Sequence, residues 1–134
     1  MIYTSYFSRV KGLYGANPNL AFVSIAGNMP DWFDSSLMEI LRYPKLAPKY
    51  EWWKIWHEKF KDNLELDESI AWYTRKYYET VLNHLNPIFV QRELLDLSGK
   101  RDVVLLCYEE PNKFCHRKLL ASWFNSCEIE CREI

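Results

Sequence analysis

The sequence has almost no net charge: 17 Lys and Arg stand against 18 Asp and Glu, for a formal charge of -1 at neutral pH. It therefore lacks the positive field that a broad, sequence-independent grip on duplex DNA needs, while a local basic pocket stays open as an option. No run approaches the roughly 20 apolar residues that span a bilayer, so no membrane partner is expected. The first residues, Met1-Ile2-Tyr3-Thr4-Ser5-Tyr6, lack the basic start and apolar core of a secretory leader. Repeats, low-complexity runs and linker-like stretches are also missing, and the reading is one domain over residues 1–134. Cysteine is absent before position 107; Cys107, Cys115, Cys127 and Cys131 crowd into the last third. A secreted disulfide scaffold would spread them more widely. Cys127 and Cys131, placed in one expected strand, would lie about 13 Å apart and cannot bridge without a bend. Reduced thiols in a cytoplasmic protein are the expectation.

What the chain does have is apolar mass. Hydrophobic residues make up 49% of it, enough to rule against disorder. Residues 3–7 and 20–26 are rich in β-formers, with Gly12, Gly15, Asn17 and Pro18 between them, a gap too long for a tight hairpin. Residues 35–42 look like a short helix, and 49–62 a second one with Trp53, Trp56 and Phe60 on one stripe. Asp67 is a natural cap for a long helix through residue 85, and Asn86-Pro87 starts another that Gly99 ends. Val103 to Cys107 is a continuous apolar run, as in a strand buried on both faces. A helix over 113–125, capped by Asn112, and a last strand over 128–134 complete a βαβ unit. The fold class expected is α/β: a small, mostly parallel, Rossmann-like sheet with helices on both faces.

In such sheets, ligands bind beyond the carboxyl ends of the strands. The loop after Cys107 lies there, and it carries Cys107, Glu109, Cys115, His116 and Arg117 close together in sequence. Several readings compete. Cys115 in the first helical turn is an activated thiolate, with His116 or Glu109 moving protons and Arg117 holding an anion. Alternatively, the helix start and Arg117 only bind a phosphate or carboxylate. A metal held by Cys107, Cys115 and a neighbour is least supported, because the thiol spacing matches no common zinc pattern and adjacent Cys and His rarely share an ion. Plain packing also accounts for the cysteines and for His116, which lies on an apolar stripe. Trp53, Trp56, Phe60, Tyr73 and Tyr77 read as core, whereas Trp52, Trp32 and Tyr78 fall off those stripes and are candidates for a pocket wall or partner surface.

Cys107-Tyr108-Glu109 followed by Cys115-His116-Arg117 resembles the signature of the Domain of Unknown Function 488 family. Tyr3 to Arg9 is similar to that family's first strand and Ser-Arg turn. Tyr43 with Leu46-Ala47-Pro48 and Trp52-Trp53 resembles its middle motif, and Trp72-Tyr73 through Tyr77-Tyr78 its aromatic helix. The resemblance implies a small bacterial or phage α/β protein without a settled activity. It also implies functional roles for Cys107, Cys115, Ser8 and Arg9. One departure stands out: Tyr6-Phe7 occupies the place where many members have a glycine before an aromatic residue. Together these readings lead to an intracellular pocket protein that binds, and as an enzyme would modify, a small anionic ligand such as a nucleotide or nucleic-acid end. Ser8, Arg9, Arg117 and Trp52 are its expected binding residues, and Cys115, Cys107, Glu109 and His116 its reactive ones. A module that holds another protein through exposed aromatics, and a thiol enzyme with Cys115 as nucleophile, are the alternatives. No cofactor is named by the sequence.

Overall fold

The structure, a computed structural model, describes residues 1–34, 36, 38–62, 65–108 and 114–134. Its centre is strand β4 (Val103–Cys107), all five residues of which are buried. It is flanked by β1 (Ile2–Tyr6) and β2 (Ala21–Ser24), and β3 (Ile40–Arg42) and β5 (Cys131–Glu133) form the edges, in the order β3-β2-β4-β1-β5. Every pairing is parallel. Strand side chains alternate between two faces. Val103, Leu105 and Cys107 belong to the larger core, and Val104 and Leu106 to a smaller one on the opposite face. Only a strand covered on both sides can be apolar throughout, which is why this run was readable.

On the smaller face, a 3-10 turn (Phe7–Arg9) leads into helix α1 (Val10–Ala16), which buries Phe7 and Val10 against Phe22, Val104 and Leu106. On the larger face pack α2 (Tyr50–Ile55), α3 (Leu66–Thr80), α4 (Pro87–Leu97) and α5 (His116–Ser126). The fold is α/β with helices on both faces. Among the described residues, no helix is long and apolar enough to cross a membrane.

Helix α4 shows how local chemistry sets an element's start. Asn86 Oδ1 accepts from the Ile88 amide at 2.9 Å and the Phe89 amide at 3.4 Å, and Pro87 fills the first helical position. Gly99 follows the helix at φ +66°, where a side chain would be strained. Asn86→Ala is expected to lower unfolding free energy by about 1 kcal/mol in a urea titration, with an unchanged slope.

Several expectations are corrected. Residues 35–42 hold no helix at their end but β3, an edge strand held by its pairing with β2. The crossover between β1 and β2, expected to be irregular, contains helix α1; the two strands are parallel, as expected, with β4 between them. Helix α3 starts at Leu66 after Glu65, with Asp67 inside its first turn, and it ends at Thr80 rather than 85. Strand β5 is shorter than 128–134 and pairs with β1, and Cys127 caps the end of α5 instead of sharing a strand with Cys131.

Candidate functional site

Parallel pairing puts the carboxyl ends of all five strands on one rim. Tyr6 is in register with Cys107, and Ser24 with Leu106, so the turns after β1, β2 and β4 leave the sheet side by side. The expected convergence of the first turn and the cysteine loop is therefore present. What opens between the rim and the helices is a cavity of about 140 Å³. Gly27 and Asn28 after β2 form one side, and Tyr50, Trp53 and His57 from the second helix form another. Cys107, Cys115 and His116 form the floor, with Tyr73 and Phe114 beside them.

The wall from α2 is a column of rings. Tyr50 and Trp53 stack at 6.4 Å and 27°, and Trp53 and His57 at 4.9 Å and 13°. Helix α2 passes at Trp56 into a wider π turn (Trp56–Phe60), closed by the Lys61 amide donating to the Trp56 carbonyl at 2.7 Å. Such widened turns recur at functional sites because they shift side chains out of ordinary helical phase. Trp56 and His57, the first two residues of this turn, both line the cavity. The Trp56 indole donates to Ser69 Oγ at 3.0 Å and packs edge-on to Tyr73 at 4.8 Å. Lys61 lines the cavity too, with its ammonium 5.9 Å from the Trp56 ring.

The floor joins the end of β4 to the start of α5. Cys115 is the residue before the helix, with extended backbone (φ -149°, ψ 152°), rather than a member of its first turn. Its sulfur is bonded to that of Cys107 as a disulfide, while Cys127 and Cys131 are free thiols. Burial pushes the Cys131 thiol up to about 12, so it is inert at neutral pH. His116 Nε2 lies 2.9 Å from the Ile25 carbonyl oxygen, which can only accept. That nitrogen therefore carries the hydrogen. Burial lowers the His116 pKa to about 4 against a raising effect of this hydrogen bond, so the ring is neutral and Nδ1 keeps its lone pair. Nδ1 faces Cys115 Sγ at 3.6 Å.

The other expected site residues divide. Glu109 lies outside the described residues, as do Asn112 and Lys113, the expected cap and start of the last helix. Ser8 and Arg9 are exposed on the same rim but do not line the cavity. Arg117 is 0% exposed and points away from the mouth. Its Nε donates to Glu133 Oε1 at 2.6 Å, its Nη1 to Cys107 Sγ at 3.2 Å, and its guanidinium lies 5.5 Å from the Tyr6 ring centre. It supports the floor from beneath and does not clamp a ligand with Arg9. Trp52 is buried in the core, donating to Thr80 Oγ1 at 2.8 Å; its neighbour Trp53 is the pocket wall. Trp32 is exposed, and Tyr78 is half-buried. His57 and Tyr50 were not singled out from the sequence, although their spacing around Trp53 is that of one helix face.

Residues 28–128 match the model of DUF488-N3a, described as the active DUF488-N3 subclade. The chain belongs to the DUF488 family. The matched segment includes the lining from Asn28 through His116, and it excludes Ala26 and Gly27 of the lining as well as Ser8 and Arg9. No curated protein and no solved structure matches the chain.

Proposed function

We propose that this DUF488 protein binds a nucleotide or a nucleic-acid end, seating its base in the aromatic cavity above Cys107, Cys115 and His116. The observation that carries the reading is the column Tyr50–Trp53–His57 beside a cavity of about 140 Å³. A cavity of roughly 150 Å³ admits one benzene-sized ring, so the volume suits a single planar base and leaves sugar and phosphate outside. Aromatic faces hold bases by stacking, which tolerates any base, and nearby cations hold the phosphates. A near-zero net charge leaves the second role to local groups, and Lys61 lines the cavity. Cys107, Cys115 and His116 lie at the floor beneath the base, and once reduced the two cysteines supply nucleophilic thiols there.

Calorimetric titration with nucleoside monophosphates and short single-stranded oligonucleotides tests this. Binding is expected, and Trp53→Ala should weaken it by about 5- to 150-fold, the equivalent of roughly 1–3 kcal/mol for one lost stacking partner. Absence of binding by every member of the panel, or equal affinity in folded Trp53→Ala, contradicts the reading.

A further inference from the structure

We propose that Cys107, Cys115 and His116 hold a divalent ion of the zinc class, with its fourth coordination position turned to the aromatic cavity. The inference goes beyond ligand binding and does not depend on which ligand enters. One ligating atom from each residue falls in a group within 4.8 Å of one another, and all three residues are buried. Zinc bonds of about 2.3 Å to sulfur and 2.0–2.1 Å to nitrogen, at a tetrahedral angle, put neighbouring S and N ligands about 3.6 Å apart. Cys115 Sγ and His116 Nδ1 are separated by 3.6 Å.

The surroundings are those of a ligating set. The Ile25 carbonyl takes the Nε2 hydrogen of His116, which fixes the ring's orientation and leaves the lone pair of Nδ1 facing the sulfurs. Arg117 donates to Cys107 Sγ at 3.2 Å, a contact that favours thiolate over thiol. The structure joins Cys107 and Cys115 as a disulfide with Cα atoms 7.3 Å apart, so the ion is held by the reduced pair, whose two sulfurs separate to take it. Adjacent Cys115 and His116 converge because the backbone changes from extended to helical between them. Two sulfurs and an imidazole select zinc over magnesium or calcium. Three protein ligands with a fourth position open to a cavity is the pattern of reactive zinc sites, where structural ones are closed.

The test is zinc content by mass spectrometry on full-length protein purified without chelator under reducing conditions, followed by cobalt reconstitution of the stripped protein. The expected result is about one zinc per chain and a thiolate-to-cobalt charge-transfer absorption. Both should be kept in Cys127→Ser and lost in Cys115→Ser and His116→Ala. Since a ligand variant can misfold, the wild-type cobalt spectrum stands by itself: a charge-transfer band that free Cys107 and Cys115 are required to produce supports the site. Metal-free protein that gives no such band with cobalt overturns it, as does zinc retained in folded Cys115→Ser.

Discussion

Arg117→Met is expected to lower the stability of the fold by about 3–5 kcal/mol, because it breaks one partner out of a largely buried ion pair. The guanidinium is wholly buried, and the Glu133 side chain retains 31% of its exposure. Water can therefore reach the abandoned carboxylate in part, which places Arg117→Met toward the lower end of the range. Glu133→Leu removes a carboxylate from the buried cation and is expected to destabilise the fold as well. The double variant Arg117→Met, Glu133→Leu removes both charges and should recover part of the loss, so the two effects will not add. Urea unfolding of the four proteins measures this; single effects below about 1 kcal/mol would mean that the pair is solvated. The functional consequence is local. Without Arg117, Cys107 loses a donor to its sulfur, and the cavity floor loses its support.

Trp56→Ala should also cost about 3–5 kcal/mol, through a cavity rather than through charge. The indole is 6% exposed and sits where α2 widens, wedged against Tyr73 with its N–H given to Ser69. Trp56→Phe keeps most of that volume and forfeits the hydrogen bond, and should cost nearer 1–2 kcal/mol. Because Trp56 lines the ligand cavity as well, the alanine variant should lose nucleotide affinity at temperatures where it is still folded. Equal stability of the Ala and Phe variants would show that packing at the widened turn is slack.

These two residues also show what the sequence made legible. Strand β4 and the Asn86-Pro87 start were readable because each depends on local facts: an unbroken apolar run and a cap followed by proline. Strand β3 was not, because three residues at a sheet edge carry no period, and only pairing with β2 defines them. Trp52 and Trp53 exchanged expected roles because Trp52–Trp56 and Trp53–Trp56 are both possible helical stripes, and spacing alone does not choose between them. The placing of Cys107 and of the start of α5 at the sheet rim was legible from the parallel βαβ reading. The partner of Arg117 was not, since Glu133 arrives from the far end of the crossover. The gathering of Cys107, Cys115 and His116 was expected from the sequence, whereas the backbone change at Cys115 that turns two adjacent side chains into one group is not recorded by spacing.

The seat of the base is the claim on which the account stands, and amide chemical-shift mapping during a titration with a nucleoside monophosphate addresses it directly. The shifts are expected to concentrate at Gly27, Trp53, His57 and Cys115, around the cavity, and to saturate together. Shifts confined to the exposed Trp32 or to Phe89 on α4, or no saturable change at these four positions, would contradict it.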